Sequence, residues 1–418
     1  MTRVYLHTFG CKANQYDTEV IRQALETSGA VSVPDPSEAD VAIVNSCTVT
    51  HVSEAKMRGL VRRIARRNSQ ARTVVMGCAA ELDDGRIAAL PGVSRVVGGS
   101  DPVAVLNAAG IDVGTTDPLL HRFERGARAW LKIQDGCDEH CTFCATTLAR
   151  GDSRSRSPAE IIAEAQSLGG NHEEIVLTGV HIGAYGAERH DGFTLGTLVQ
   201  SLVNEVPRVR FRLSSIEATE IDDTLADLLV SAPERLAPHI HAPLQSGSDR
   251  LLKLMGRHWY TARSYRERIE WLAARVPRLG LGADVMVGFP TETEDDHAGT
   301  RSLIESLPFT YLHVFPYSER PGSAAMKLGS PVAPQLSQHR SSELRALAEQ
   351  KSQAYRRGRH DDMADVILLR RTKGRYEALT GDYLTVFVRT DTVVKQRSQA
   401  RLRLEDGDMW AVPQEAAG

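Results

Sequence analysis

The hydrophobic pattern divides the chain into three regions. In the first, short apolar runs alternate with stretches whose apolar residues recur every three or four positions. "RVYLHT", "DVAIVNS" and "RTVVMG" predict strands. "DTEVIRQALETSG" predicts a helix capped by Asp17 and ended at Gly29, and "SEAKMRGLVRRIARR" a strongly basic second helix. Such alternation gives a parallel sheet with helices packed on it. From Ala129 to Ser318 six further strands are expected: "AWLKIQ", "EIVLTGV", "RVRFRLS", "HIHAPLQ", "LGADVMV" and "YLHVFPY". Helical patterns such as "PAEIIAEAQSLG" and "SYRERIEWLAARV" separate them, and Pro158 suits a first helical turn. Six strand–helix units fall short of the eight that close a barrel, so an open, partial barrel is expected, with its site at the strand carboxyl ends. The last region passes from the helical "SSELRALAEQKSQAYRR" into the β-rich "DVILLRRT", "YEALTGDYLTVFVRT" and "ARLRLEDGDMWAV", with a turn at "TGD". A unit of roughly 55 residues is marginal as an independent core and is expected to dock on its neighbour.

The fold class that results is α/β: a parallel-sheet α/β domain over 1–112, a partial (β/α)6 barrel over 125–355 and a small β-rich C-terminal unit over 356–418, which the resemblance described below implies to be a β-barrel. Three domains suit a chain of 418 residues, at ~150 residues per domain. Its 42% hydrophobic and 25% charged content is that of a globular protein with substantial cores. No apolar run approaches the ~20 residues that span a bilayer, and the start "MTRVYLHTFGCKANQYD" has no export-type segment. A cytoplasmic location without a membrane partner is expected. The net charge of −3 does not announce a nucleic-acid binder. Between Arg340 and Arg403, however, fifteen Lys and Arg stand against eight Asp and Glu. That excess fits phosphate contacts or a solvated surface, and Arg62, Arg63, Arg66 and Arg67 carry the same two readings.

The six cysteines change the picture most. Cys11, Cys47 and Cys78 each follow a predicted strand, at the edge where parallel sheets bind ligands. They converge there, or each is a small apolar residue in packing. Cys137, Cys141 and Cys144 form a CxxxCxxC cluster after the first barrel strand. Zinc, with His140 completing the set, is one reading. An iron–sulfur cube with one iron left without a protein ligand is the other. "VVGGSDP" reads as a turn rather than a phosphate loop.

With Phe143 before its last cysteine, this cluster resembles the signature of the radical S-adenosylmethionine (SAM) superfamily. The resemblance implies that the amino and carboxylate groups of SAM chelate the open iron, and that reduction yields a 5′-deoxyadenosyl radical. "HTFGCKANQYD", "NSCTVT", "VMGCAA", "GCDEHCTFC" and "ARGDSRSRS" narrow the match to the methylthiotransferase family. "EIVLTGVHIGAYG", "RLSSIEATEI", "HAPLQSGSDRLLKLMGR", "DVMVGFPTETEDD" and "HVFPYSERPGS" continue it, so the resemblance runs from Tyr5 to Ser323. It implies a second [4Fe-4S] cluster on Cys11, Cys47 and Cys78 whose open iron carries sulfur, one SAM giving the methyl group and another the radical. All six cysteines are then expected to carry chemistry. Phe143, Gly179, Glu217, Gln245, Val287 and Gly288 are expected SAM contacts, with a loop cap or ion pair as the plain alternative for the polar ones. His181 and His241 are read as catalysts or as core-edge histidines. One departure stands out: relatives commonly place Ile-Pro soon after the last cluster cysteine, where this chain has "ATTLARG", Ala145 to Gly151.

"TFGCKANQYD" and "NSCTVT" are most similar to the branch that modifies carbon 2 of threonylcarbamoyladenosine beside the tRNA anticodon. The isopentenyladenosine branch, with its GCQMN-like block, and the ribosomal-protein branch follow in that order. Expected partners are the tRNA anticodon stem-loop, a reducing electron donor protein and a sulfur donor. The β-rich tail occupies the place of the family's RNA-binding barrel, called TRAM. A non-catalytic iron–sulfur or zinc RNA-binding protein is the remaining reading.

Overall fold

A computed structural model describes residues 1–48, 51–113, 117, 119–124, 126–320, 322–372, 375–389 and 396–413. Val49, Thr50 and Pro321, which belong to two of the quoted motifs, lie outside them. The N-terminal sheet contains β1 (Arg3–Thr8), β2 (Val31–Val33), β3 (Val41–Ser46), β4 (Arg72–Gly77) and β5 (Val93–Gly98), all parallel, in the order β2-β1-β3-β4-β5. Strand alternation divides its side chains between two cores. Val41 and Ile43 of β3 pack under α1 (Lys12–Thr27) and α4 (Pro102–Ala108) with Ile21, Leu25 and Leu106. Ala42 and Val44 pack on the opposite face under α2 (His51–Arg67) and α3 (Cys78–Glu81), against Met57, Leu60 and Ile64. Burial on both faces is why β3 and β4 read as unbroken apolar runs.

The six strands expected in the middle region are present: β6 (Arg128–Lys132), β9 (Glu174–Thr178), β10 (Arg210–Leu213), β11 (His239–His241), β12 (Gly280–Val287) and β13 (Tyr311–Pro316). They form two parallel three-stranded sheets, β10-β9-β6 and β11-β12-β13, joined by a bridge between Ser215 and His241. Among the described residues no pairing links β6 to β13, so the barrel is open on that side. Outside it lie α6 (Pro158–Gly169), α7 (Leu195–Glu205), α8 (Asp223–Ser231), α10 (Ala262–Ala273) and α11 (Glu294–Ser306), packed in one continuous core. Their starts are locally encoded. Ser157 accepts the Glu160 N–H ahead of Pro158, and Thr194, Thr261 and Thr293 each close a capping box.

The N-terminal domain covers the open side through α1. Trp130 donates to Gln15 at 2.6 Å, Lys132 to Asp17 at 2.5 Å and Arg156 to the Tyr16 hydroxyl at 3.1 Å. At the opposite end of the chain, α12 (Pro334–Gly358) leads into a closed barrel of β14 (Met363–Thr372), β15 (Arg375–Thr380), β16 (Thr385–Val388), β17 (Arg397–Glu405) and β18 (Asp408–Pro413). The expected "TGD" turn joins β15 to β16 and docks beneath the partial barrel. Arg212 donates to the carbonyls of Gly381 (2.9 Å) and Thr380 (3.0 Å), and Tyr383 stacks on His239 with centroids 4.1 Å apart. Among the described residues no helix is long and apolar enough to cross a membrane.

Glu174 organises this floor. Its fully buried carboxylate accepts from Arg128 (2.6 Å), Arg210 (2.7 Å) and Arg212 (3.0 Å). Burial pushes the carboxyl up, but the three guanidiniums outweigh it and hold Glu174 well below the usual carboxylate range. Removing one partner of such a buried charge set leaves the others uncompensated, at a cost of about 3–5 kcal/mol. Glu174→Ala is therefore expected to lower the urea unfolding midpoint markedly, while Glu160→Ala on the exposed start of α6 leaves it nearly unchanged. Equal midpoints for the two variants would contradict this account.

Candidate active site

Three adjacent strands, β1, β3 and β4, end in the three N-terminal thiols. Cys11 caps α1, Cys47 follows β3 directly and Cys78 opens α3. Gly10 makes their approach possible: its φ is +106°, and a Cβ there would lie 2.8 Å from Cys47 Cβ. Asn14, one turn into α1, is within reach of two of them, its Oδ1 lying 3.7 Å from Cys11 Sγ and 3.9 Å from Cys78 Sγ.

The other three thiols occupy a loop bracketed by the short pair β7 (Gln134–Asp135) and β8 (Arg154–Ser155). Backbone bonds from Cys137 N–H to Gly151 O and from Thr142 N–H to Met255 O, 3.0 and 2.9 Å, fix its ends and middle. Gln134, which the sequence reading passed over, is the post of this arrangement. Its buried amide donates to Gly136 O (2.7 Å) and Ser153 Oγ (3.0 Å), while its Oε1 accepts the N–H groups of Val180 and His181. In place of Ile-Pro, "TTLAR" forms the short helix α5 (Thr146–Arg150), whose Thr146 N–H points at Cys144 Sγ, 3.3 Å away.

Cys137, Cys141 and Cys144 line a cavity of about 180 Å³ together with Phe143, His181, Glu217, Gln245 and Arg257. Two buried acceptors facing this space, Glu217 Oε2 and Gln245 Oε1, have no partner among the described residues. Gln245 also holds a left-handed backbone, φ +59°, between its hydrogen bonds to Asp284 and Met286. Non-glycine residues kept in that region cost of order 1–3 kcal/mol and cluster at ligand sites. Burial pushes the Cys141 thiol up to about 12 against the opposing pull of Arg257, whose Nη1 lies 3.5 Å from the sulfur. Cys78 is likewise raised by burial, with Arg150 opposing. To hold iron these thiols would have to lose their protons, and Arg257 and Arg150 already stand beside Cys141 and Cys78 to meet the resulting charge.

The donor chemistry fits the cofactors implied by the sequence. Each set offers three sulfur ligands, one short of a closed cage, and the barrel set faces orphaned oxygen acceptors suited to ammonium or hydroxyl groups of SAM. Not every expected contact lies there. Gly179 is packed against Gln134, whose carbonyl oxygen would be 2.7 Å from an added Cβ. Val287 is buried in the barrel core, and Gly288 faces Ser337 of α12 and donates to Glu292 at 2.7 Å. None of the three lines the cavity of the barrel cysteines. His181 bonds Glu220 (2.7 Å) and lies 3.9 Å from Cys137 Sγ; His241 bonds Tyr311 and Asp284. Arg257 was missed because its role depends on two partners distant in sequence. It donates to Glu217 and approaches Cys141.

A larger hollow, of about 690 Å³, lies elsewhere. It opens between α2, α3 and α5 and is lined by Arg58, Arg62, Arg86 and Arg320, with the exposed Leu148 at its edge. Arg63, Arg66 and Arg67 are also exposed on α2.

Residues 3–99 match the uncharacterized protein family UPF0004, and residues 131–304 the radical SAM superfamily. The threonylcarbamoyladenosine tRNA methylthiotransferase MtaB of Bacillus subtilis is 36% identical over 385 residues, which are 88% of this chain and 85% of that protein. The chain belongs to the radical SAM methylthiotransferases. A tRNA-2-methylthio-N(6)-dimethylallyladenosine synthase of Methylobacillus flagellatus is 33% identical, with 84% of each chain covered. In fold, this methylthiotransferase is similar to the radical SAM methyltransferase TsrM of Kitasatospora setae (TM-score 0.57, 14% identity, 75% of this chain and 73% of that one).

If Gln134 holds the cysteine loop, Gln134→Ala removes five hydrogen bonds, to Asp135, Gly136, Ser153, Val180 and His181, and leaves buried backbone groups unpaired, at about 1–3 kcal/mol each. Amide exchange at Val180 and His181 and around Cys137 is expected to speed up by at least tenfold, with exchange in α2 unchanged. A uniform change across the protein would count against a local role.

Proposed function

We propose that this transferase inserts a methylthio group at carbon 2 of threonylcarbamoyladenosine, next to the anticodon of tRNA. The observation that carries the reading is the pair of three-thiol sets brought to one region, on a chain 34–36% identical to several threonylcarbamoyladenosine tRNA methylthiotransferases over most of its length. Its cofactors are two [4Fe-4S] clusters and SAM, held by Cys137, Cys141 and Cys144 and by Cys11, Cys47 and Cys78. When bound, they supply the radical, the methyl group and the sulfur. The chain's own residues bind and orient. Glu217 and Gln245 present acceptors to SAM, Phe143 lines its cavity, and Arg257 and Arg150 stabilise thiolates by charge. The barrel wall and the docked N-terminal domain keep water from the reacting carbon, and hold both sulfur-ligand sets against one substrate atom.

Guanidiniums near the thiols support an RNA partner. The hollow beside α5 is lined by four arginines, three of them paired with Glu54 or Asp84, and the C-terminal barrel adds the basic tail. Phosphate contacts of this kind make affinity fall with salt, by ~0.7–0.9 logarithmic units per decade for each phosphate neutralised. Electron and sulfur donors would approach the same rim.

Anaerobic reconstitution with SAM, reductant and tRNA tests the reading, followed by mass spectrometry of the RNA nucleosides. Methylthiolated threonylcarbamoyladenosine is expected; 5′-deoxyadenosine without a modified nucleoside would sink the assignment of tRNA as substrate. Alanine at Cys137, Cys141 or Cys144 should abolish SAM cleavage and lower iron from about eight to about four per chain. Alanine at Cys11, Cys47 or Cys78 should lower iron equally but spare some cleavage while insertion stops. Identical loss of cleavage in both sets, with circular dichroism unchanged, would refute this division of labour.

A further inference from the structure

Strand alternation gives β11, β12 and β13 two faces. Ile240, Leu281, Ala283, Val285 and Val314 point into the core beneath the outer helices. His241, Asp284 and His313 take the other face, towards the lumen. Parallel pairing sets their positions: His313 stands opposite Asp284, and His241 opposite Gly282, two residues before Asp284. Both imidazoles converge on one carboxylate oxygen. His241 Nε2 and His313 Nδ1 each lie 3.2 Å from Asp284 Oδ1, and one donor atom from each of the three residues falls within 4.8 Å of the other two. The Tyr311 hydroxyl lies 3.0 Å from His241 Nδ1 and so fixes the ring with Nε2 turned to Asp284. Gly282 makes room for that phenol: a Cβ there would stand 2.0 Å from Tyr311 Cζ. The partners of Asp284 also differ from those of neighbouring carboxylates. Glu174, Asp17 and Asp135 are paired with Lys or Arg, whereas Asp284 has only imidazoles as ionic partners among the described residues.

A guanidinium beside a carboxylate can only pair with it; a neutral imidazole can instead give a lone pair to a metal ion. The spacing suits that use. Bonds of ~2.0 Å to a tetrahedral ion hold neighbouring ligand atoms ~3.3 Å apart, close to the two separations of 3.2 Å found here. We propose that His241, Asp284 and His313 form a mononuclear site for a divalent first-row transition ion, with a further position open to the lumen for water or another oxygen donor. Two nitrogen ligands select against Mg²⁺ and Ca²⁺, which prefer oxygen, and the Irving–Williams order places zinc above ferrous iron at such a site. Tyr311 supplies the outer contact that ligating histidines usually have on their second nitrogen. Solvent gives the ion a way in, because 62% of the His313 side chain is exposed. The three residues belong to neither cysteine set, and the site does not depend on the function proposed above.

Zinc is the probe, added to the anaerobically reconstituted protein so that iron already occupies the cysteines. Elemental analysis after desalting counts zinc and iron in the same sample, and X-ray absorption at the zinc edge identifies the ligands. One zinc per chain is expected, with nitrogen and oxygen neighbours at ~2.0–2.1 Å, imidazole scattering beyond them, and no sulfur neighbour at ~2.3 Å. In competition with a chelator, His313→Ala and Asp284→Asn should each weaken zinc binding by more than ~100-fold with iron unchanged. Tyr311→Phe should weaken it by ~10–100-fold, the range for losing an outer contact. His313 is mostly exposed, so its variant is expected to fold, and circular dichroism checks that it does. Wild-type protein that keeps its iron but retains no zinc overturns the site and leaves the three residues a hydrogen-bonded cluster only. A sulfur shell around the zinc, or zinc affinity undiminished in folded His313→Ala, overturns it equally.

Discussion

The arrangement of the active region depends on one guanidinium, that of Arg150. It stands at the end of α5, just after the barrel's cysteine loop, and only 8% of its side chain is exposed. Nη1 donates to both oxygens of Asp135 (2.8 and 2.9 Å). Nη2 donates to Asn14 (2.6 Å) and Asp17 (3.1 Å) on α1, and Nε points at Cys78 Sγ, 3.2 Å away. One planar group thereby touches the loop that carries three thiols and the domain that carries the other three. A lysine has a point charge and no fixed fork, and could not meet these directions together. Asp135 beside it stays ionised: burial pushes its carboxyl up, but Lys132 and Arg150 outweigh that and bring it down to about 2. The tie therefore persists throughout the physiological pH range.

The opposite end of the barrel is closed by a second set of buried charges. Glu174 gathers three arginines, and two of these reach onward to the C-terminal barrel, Arg210 to the Asp365 carbonyl and Arg212 to the turn at Thr380 and Gly381. Tyr383 and Asp382 then press against the strand starts, where only Gly280 leaves room for the Asp382 carbonyl. This docking does two things at once. It gives a small β-barrel, which buries little on its own, a large neighbour to stand on. It also makes the floor of the lumen polar and electropositive, in a place where a barrel could equally have been filled with apolar side chains.

How much of this could be read from the chain follows from the range of the interactions. The six barrel strands and most helices were legible because apolar periodicity, capping residues and Pro158 act within a few positions. β2 and β5 were not predicted. The first is three residues long, and the second is only half-buried at a sheet edge, so neither needs a continuous apolar run. The cysteines were legible through spacing and strand phase, although the adjacency of β1, β3 and β4 that lets three of them converge is a property of sheet order. Gln134, Arg150 and Arg257 were not assigned as site residues. Each acts on residues far away in the sequence, as when Arg150 meets Asp17 across 133 positions. Gly179, Val287 and Gly288 stand at strand ends, as their motifs imply, but do not line the cavity of the three barrel cysteines: a motif locates a residue at a strand end, whereas the packing around it decides which way it faces.

Relatives of this chain act on bases whose N6 arms differ in charge, and the placement of its residues suggests how one scaffold serves them. The sulfur ligands and their guanidiniums sit at the rim, where the chemistry at carbon 2 is the same whatever the arm. Deeper in the barrel lie the polar side chains of β11, β12 and β13, where His241 and His313 both meet Asp284. Charge there is only partly screened by solvent, Asp284 being 27% exposed, and it acts most strongly over short distances. A change of one side chain there can therefore alter the charge of the lumen without moving a thiol.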